Sequence, residues 1–233
     1  MIGVYDYTVI LTYLSLLSAG TGIAVSLSGL GHPYYGIFFL LFCGLCDAFD
    51  GKVAHTKKNR TEKEKKFGIQ IDSLSDLVAF GVLPACIGMA FVRRSVIFED
   101  LIHHKLSSDL DGKATFLTIV LFGVLILYIL TALIRLAYFN VDEEERQQTE
   151  DGRRKVYLGL PVTSAAIIFP TVALFTFVIP KDITWVYIVV TAITAILFIT
   201  PFKIPKLNFK GVLWLVGLGV VEFAILLLSS ILW

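Results

Sequence analysis

The sequence predicts an all-α fold, a polytopic membrane bundle of about six to eight transmembrane helices. Of its 233 residues 56% are hydrophobic and only 17% are charged, and the mean hydropathy is +0.79. An ordinary soluble domain is less apolar than this. Apolar stretches of roughly 20 residues, the length that crosses a bilayer, recur along the whole chain. Because no internal repeat or low-complexity segment interrupts them, we expect residues 1–233 to form a single membrane domain.

The N-terminal stretch lacks a basic segment, so it is interpreted as a first span rather than as a cleavable signal peptide. Pro33, Pro180, Pro201 and Pro205 stand at predicted joins, where a helix breaker is expected. The predicted spans cover approximately 7–29, 33–50, 69–92, 115–139, 157–179, 183–201 and 211–232.

Cys43 and Cys46 form a C-x-x-C pattern inside the second span. No second pair of cysteines or histidines lies nearby in the sequence, so small polarisable packing residues are the favoured interpretation. Zinc binding or redox use is the alternative.

The distribution of basic residues predicts the orientation of the bundle. The linkers 51–67, 140–156 and 202–210 alternate along the chain and hold most of its lysines and arginines. The positive-inside rule therefore places these linkers and the N-terminus in the cytoplasm. The basic residues can serve as topology signals alone, or they can also attract anionic lipid.

Two pairs of aspartates flank the first of these linkers. Asp47 and Asp50 are three residues apart at the end of the second span, and Asp72 and Asp76 are four apart at the start of the third. Both spacings place the paired side chains on one helix face. Antiparallel neighbouring helices bring the pairs side by side, where four unpaired charges would repel each other strongly. Oxygen-rich sites of this kind suit Mg²⁺, Mn²⁺ or Ca²⁺, and two ions can share such carboxylates.

Small residues accompany the aspartates. Gly51 directly follows Asp50, Ala54 lies one turn further, and Gly68 precedes Asp72 by four residues. A missing side chain lets a ligand approach the backbone closely. The alternative is that the two glycines only mark helix ends.

This stretch resembles a known signature. The pattern D-x-x-D-G-x-x-A, a spacer, and G-x-x-x-D-x-x-x-D over residues 47–76 is similar to that of the CDP-alcohol phosphotransferases. These integral membrane enzymes transfer a phosphatidyl or similar group from a CDP-linked donor to an alcohol and release CMP.

Further stretches resemble one group within that family, the CDP-diacylglycerol–serine O-phosphatidyltransferases. They are the run D-S-L-S-D-L-V-A-F-G-V-L-P-A over 72–85, the segment L-I-R-L-A-Y-F-N-V over 133–141, and L-G-L-P over 158–161. The likeness extends from about residue 6 to 170. It departs from the family at His55, where an arginine usually follows the alanine of the motif, and at Tyr138, which replaces a second arginine.

The resemblance implies a role for each matched residue. Asp47, Asp50, Asp72 and Asp76 would bind a divalent metal, Mg²⁺ or Mn²⁺ and two ions in all, and Asp76 would also act as general base. The residues implied in substrate binding are Gly51, Ala54, His55, Gly68, Arg135, Asn140 and Thr8. For Arg135 an anion partner is favoured over snorkelling to the membrane interface.

The implied reaction transfers a phosphatidyl group from CDP-diacylglycerol to L-serine, with membrane lipid and no nucleic acid as partner. Glycerol phosphate or an inositol phosphate is the alternative acceptor. An ion transporter is a different class, but its acidic groups should be spread over several helices near the midplane. The resemblance also implies a homodimer in a prokaryotic plasma membrane, with the active site facing the cytoplasm.

Overall fold

The computed structural model describes residues 3–29, 32–95, 112–149, 156–177, 182–205 and 209–232, which are almost entirely helical. The helices are α1 (Ile10–Ser28), α2 (Tyr34–Thr56), α3 (Glu62–Asp76), α4 (Leu83–Arg94), α5 (Gly112–Thr149), α6 (Ala165–Leu174), α7 (Thr184–Ile199) and α8 (Phe209–Leu232). Single 3-10 turns cover Tyr7–Val9, Val162–Ser164 and Phe175–Phe177. The predicted all-α class is therefore confirmed.

Four helical stretches are long and apolar enough to cross a membrane: Tyr7–Ser28, Glu62–Arg94, Phe116–Arg146 and Lys210–Leu228. Helix α2 and the shorter apolar helices α6 and α7 complete the bundle within the described ranges. Because α3 and α4 belong to one continuous rod, the described part of the chain forms seven helices, inside the predicted range of six to eight.

Small residues allow the helices to approach closely. A Cβ added at Gly22 of α1 would lie 2.8 Å from the Cβ of Phe39 on α2, and one added at Gly44 of α2 would lie 2.5 Å from the Cβ of Ala166 on α6. Within a membrane such close van der Waals packing contributes much of the helix association, since lipid tails are as apolar as the side chains. Helix α2 is thereby fixed between α1 and α6.

A π-helical turn, Leu77–Val82, joins α3 to α4. Its cause is Pro84, which has no N–H to offer the carbonyl of Phe80 and whose ring would clash with that carbonyl in a regular α-helix. The buried hydroxyl of Tyr128 instead donates to the Phe80 carbonyl at 2.6 Å, and Tyr187 donates to the Pro84 carbonyl at 2.8 Å. Both carbonyls are thus paired inside the bundle, where an orphan group would be costly.

Helix α5 continues ten residues beyond the predicted end at 139. The predicted loop over residues 140–149 is therefore wrong. Hydropathy marks where apolar residues stop, whereas the helix continues through an acidic segment. Within that segment Arg146 pairs with Glu143 at 2.6 Å with i, i+3 spacing, which supports a helix outside the apolar region.

The predicted fifth span begins too early. Residues Val156–Leu158 form a short strand, β1, that pairs antiparallel with β2, Lys203–Pro205, with Val156 opposite Pro205. Gly159 then adopts a left-handed φ of +73°, and helix α6 starts only at Ala165. This two-stranded pairing links the segment after α5 to the segment after α7, at the end of the bundle where α3 begins.

The thiols of Cys43 and Cys46 are free and buried. Cys43 Sγ–H donates to the Ser15 carbonyl on α1 at 3.3 Å. This contact is that of a packing residue between α1 and α2.

Candidate active site

Helices α2 and α3 bring three carboxylates together. Asp47 and Asp50 lie one turn apart on α2, and Asp72 lies on the facing part of α3. One carboxylate oxygen from each residue can be chosen so that all three lie within 4.8 Å of one another. All three residues are partly buried.

Asp76 lies one turn deeper along α3 and is 9% exposed. It is not part of the group of three, although its charge interacts with those of Asp47, Asp72 and Asp50. The neighbouring Ser75 hydroxyl donates to the Thr12 carbonyl of α1 at 3.2 Å, which fixes this turn of α3. The structure therefore places a fourth carboxylate beside the other three, on the side facing the interior of the bundle.

The donor set fits a hard divalent cation. Three carboxylate oxygens at this spacing repel one another when ionised. Oxygen ligands from carboxylates are those that Mg²⁺, Mn²⁺ and Ca²⁺ prefer. Asp47, Asp50 and Asp72 are thus able to hold such an ion, and the predicted metal ligands in this group lie where the spacing in the sequence placed them.

An ion-pair network fixes the linker between α2 and α3. Lys57 Nζ lies 2.6 Å from Asp6 Oδ2 and 2.8 Å from Glu64 Oε1. Glu64 also forms a capping box with Thr61, whose hydroxyl accepts from the Glu64 N–H, so α3 begins at Glu62. The hydrogen bond from Lys57, followed by that from Thr8, lowers the pKa of Asp6 from 3.8 to about 2.

The small residues of the motif lie on two different surfaces. Gly51 is exposed with open space where a side chain would stand, and its N–H donates to Asp50 Oδ1. Ala54 is partly buried on the same helix, and His55 is exposed in the last turn of α2. Gly68 lies on α3 beneath a side chain of the linker: a Cβ there would be 2.6 Å from Arg60 Nη2.

Asn140 reaches the same region from α5. Its Nδ2 donates to the Ser73 hydroxyl at 2.8 Å, and that hydroxyl lies 3.2 Å from Asn140 Oδ1. Ser73 directly follows Asp72, so this hydrogen bond connects Asn140 of α5 to the part of α3 that carries the carboxylates.

Arg135 is 6% exposed and points toward the segment that precedes α6. Its Nε donates to the Leu160 carbonyl at 3.1 Å, and its guanidinium carbon lies 5.7 Å from the ring centre of Phe139. A Cβ at Gly159 would lie 3.0 Å from the Thr200 carbonyl oxygen and 3.5 Å from Arg135 Nε. Arg135 therefore holds this segment in place, a role that the sequence did not indicate.

Thr8 is 3% exposed in the 3-10 turn before α1. Its N–H donates to Asp6 Oδ1 at 2.9 Å and its hydroxyl bonds the same oxygen. Asp6 in turn pairs with Lys57. Thr8 is thus connected through Asp6 to the linker, without a described contact to Asp47, Asp50, Asp72 or Asp76.

An apolar cavity of about 690 Å³ opens beside the carboxylates between α2, α6 and α8. Asp47 lines it, and so do Leu160 and Pro161 of the segment that Arg135 holds. Other lining residues are Leu41, Leu45, Ile167, Gly219 and Phe223. The site therefore combines an acidic end with a long apolar surface, which suits an amphipathic ligand.

Sequence reasoning missed Ser73, Lys57 and Arg60 as contributors to this region. Ser73 lies inside the motif over residues 47–76, and its position directly after Asp72 could have indicated that it lies near the site. Lys57 and Arg60 belong to the predicted linker 51–67, which has seven basic residues. Spacing in the sequence does not distinguish the side chains that contact α3 from those that face solvent.

The pattern of the family described as CDP-alcohol phosphatidyltransferase matches residues 8–200, which is most of the chain. The match covers Asp47, Asp50, Asp72 and Asp76, the β1 strand and helices α1 to α7.

Curated relatives are similar at modest identity. The CDP-diacylglycerol–serine O-phosphatidyltransferase of Saccharomyces cerevisiae is 28% identical over 166 residues, which are 67% of this chain and 50% of the yeast protein. The protein of the same name from Helicobacter pylori strain 26695 is 31% identical over 124 residues, 53% of this chain and 39% of that protein.

The archaetidylserine synthase of Methanothermobacter thermautotrophicus is 27% identical over 199 residues, 85% of this chain and 70% of that protein. The chain thus spans half or less of the yeast and Helicobacter relatives, and more of the archaeal one. No solved structure matches it.

Proposed function

Because the chain belongs to the CDP-alcohol phosphatidyltransferase family, we propose that it transfers a phosphatidyl group from CDP-diacylglycerol to the hydroxyl of L-serine. The observation that carries this proposal is the convergence of three carboxylates at an apolar cavity that shares Asp47 with them. The acidic end suits the charged diphosphate with its divalent ion, and the cavity suits the acyl chains of the donor.

Serine as the acceptor is supported by the runs over 72–85, 133–141 and 158–161 and by the names of the relatives. The residues of these runs lie near one another: Ser73 bonds Asn140, and Arg135 bonds Leu160. The three runs therefore contact one another on one side of the bundle, where an amino acid can be bound next to the carboxylates.

Asp47, Asp50 and Asp72 would hold Mg²⁺ or Mn²⁺, and with Asp76 the site would hold two ions. Divalent ions bound there would neutralise the negative charge of the diphosphate, and CMP would therefore be a better leaving group.

Asp76 is proposed as the general base. A serine hydroxyl is too weak an acid to lose its proton unaided at neutral pH, and a positioned carboxylate can take that proton as the bond to phosphorus forms. The serine oxygen then bonds to the phosphorus that carries diacylglycerol, the bond from that phosphorus to the CMP oxygen breaks, and CMP leaves with the electron pair. Asp76 is the most buried of the four carboxylates, and Ser75 next to it is anchored on α1.

Gly51, Ala54, His55 and Gly68 are proposed to line the site of the CDP group, with Thr8 near it. Arg135 and Asn140 are proposed to bind the anionic groups of donor or acceptor, Arg135 while holding the Leu160 carbonyl. We propose that the carboxylate end of the bundle faces the cytoplasm in a prokaryotic plasma membrane. We also propose that the chain assembles as a homodimer.

The test is an assay of the purified full chain with CDP-diacylglycerol, Mg²⁺ or Mn²⁺ and labelled serine. Phosphatidylserine and CMP should appear in equal amounts. Glycerol phosphate and an inositol phosphate are tested in parallel. If either one gives faster CMP release than serine does, that alcohol and not serine is the acceptor. If no alcohol gives CMP release, the proposed transfer is wrong.

A further inference from the structure

The guanidinium of Arg60 lies on the bare surface of Gly68. A Cβ at Gly68 would be 2.6 Å from Arg60 Nη2 and 3.8 Å from Arg60 Cζ. The same Nη2 donates to the Glu64 carbonyl at 3.3 Å. Arg60 comes just before the N-cap residue Thr61, so its side chain runs back along the first two turns of α3.

Within the part of the chain that the structure describes, one donor of this guanidinium has no hydrogen-bond partner. Four buried polar side-chain atoms lack a hydrogen bond within the described ranges, and the Nε of Arg60 is the one in the linker beside the carboxylates. The only described bond of the guanidinium is the long one to Glu64. Buried donors are almost always paired in folded proteins, so an unpaired one next to a candidate site indicates a ligand that completes it.

The position relative to Asp72 identifies that ligand. Gly68 and Asp72 are four residues apart on α3 and therefore share one face, about 6 Å apart along the axis. A diphosphate brought to this face meets the negative charge of the aspartates, and a guanidinium one turn away offsets it. Arginine binds phosphate oxygens through two parallel hydrogen bonds.

We propose that Arg60 binds the diphosphate of the CDP-linked donor, with Gly68 providing the space that its guanidinium needs. This inference rests on the proposed function for the identity of the donor. It makes Arg60 a substrate-binding residue, and it adds to the proposed position of Gly68 at the CDP site the role of making room for the guanidinium.

Other cations in and beside the linker are less suited to this role. Lys57 is held between Asp6 and Glu64, and Lys65 pairs with Glu62 at 2.7 Å. His55, the residue at the motif position usually held by arginine, is exposed in the last turn of α2. Arg60 has its charged group against the α3 face that carries Asp72, and no acidic partner of its guanidinium is described.

The experiment compares Arg60→Gln with the matched control Lys58→Gln, an exposed residue of the same linker. Glutamine keeps a donor for the Glu64 carbonyl but not the charge. Arg60→Gln should raise the KM for CDP-diacylglycerol and the Kd for CDP in Mg²⁺ about 10- to 100-fold, as expected for loss of a charge-assisted hydrogen bond. The KM for serine and the thermal midpoint should change little, and Lys58→Gln should match the wild type in every measurement.

A double-mutant cycle with Gly68→Ala tests the mechanism. The added methyl group displaces Arg60, so Gly68→Ala alone should weaken CDP binding, and it should add little in the Arg60→Gln background. Full additivity overturns the role given to Gly68. Unchanged CDP binding in Arg60→Gln, or a raised KM for serine instead of the donor, overturns the proposal for Arg60.

The two proposals fail separately. A wild-type chain that binds CDP but releases no CMP with any alcohol contradicts the proposed transfer, while the CDP titrations of Arg60→Gln and Lys58→Gln still decide the role of Arg60.

Discussion

Replacing Asp50 by asparagine should remove most of the stabilisation that divalent ions give to the chain. Asp50, Asp47 and Asp72 offer oxygens within 4.8 Å of one another. At an effective dielectric constant of 20, two unit charges at that distance repel by about 3.5 kcal/mol. Asparagine has the same shape, and its Oδ1 can still accept the hydrogen bond from the Gly51 N–H.

Without divalent ions, Asp50→Asn should therefore be at least as stable as the wild type. The gain is about 3.5 kcal/mol for each repulsion removed if the charges stand at the full 4.8 Å and both are ionised, and protonation of the cluster reduces it. With Mg²⁺ or Mn²⁺ the wild type should gain stability relative to the variant, because an ion at 100 times its Kd stabilises the wild type by about 2.7 kcal/mol. That corresponds to a rise of about 5–10 °C in the thermal midpoint for a chain of this size.

The assay is thermal unfolding of the detergent-purified chain, followed by tryptophan fluorescence over a titration of each ion. The control is Glu144→Gln, which removes one negative charge from an exposed position on α5 and should keep the full response to the ion. An equal response to the ion in Asp50→Asn and the wild type would refute the metal assignment, as would a metal-free variant that is clearly less stable than the wild type.

Three further changes test other parts of the structure. Asp76→Asn should lower turnover about 10²- to 10⁴-fold, the usual contribution of a general base, without lowering the thermal midpoint of this crowded acidic site. Gly44→Ala should destabilise the bundle by about 1–3 kcal/mol, since the new methyl group would lie 2.5 Å from the Cβ of Ala166. Asp6 has a pKa of about 2 because Lys57 and then Thr8 bond it, so its stabilising effect is complete above pH 3.8 and is lost as the pH falls toward 2. The difference in thermal midpoint between wild type and Asp6→Asn should shrink over that interval.

Each of these has a control or a contrary outcome. Gly20 of α1 has open space around it, so Gly20→Ala should be neutral or stabilise the helix, by up to about 1 kcal/mol. Normal turnover in Asp76→Asn would remove that residue as the base. A difference for Asp6→Asn that stays constant down to pH 2 would show that its charge contributes nothing.

The convergence of Asp47, Asp50 and Asp72 was predictable because the aspartates follow helix spacing and a single linker joins their helices. These residues are close in sequence, so no contact between distant segments was needed to predict their approach. The end of α5 was not predictable from hydropathy, since the helix continues past the apolar residues into a segment where Glu143 and Arg146 pair.

Contacts between distant segments were also beyond the sequence. The pairing of Val156–Leu158 with Lys203–Pro205 joins segments separated by two helices, and two three-residue strands have no distinctive alternation. The direction of the Arg60 side chain depends on the path of the linker, which is set by the Thr61 capping box and the Lys57 ion pairs.

The π-helical turn between α3 and α4 determines which way the aspartates face. Each residue of an α-helix advances the chain by about 100° around its axis, and a π turn accommodates one extra residue without breaking the rod. At the α4 end of this turn, Tyr128 and Tyr187 fix the orientation of the continuous α3–α4 helix, because their hydroxyls donate to the carbonyls of Phe80 and Pro84. The number of residues between Asp76 and Pro84 therefore determines how α3 is rotated about its axis relative to α4. With one residue fewer, α4 would stay packed, but Asp72 and Asp76 would turn away from α2. A segment that touches no ligand would in this way be constrained in length by the geometry of the site.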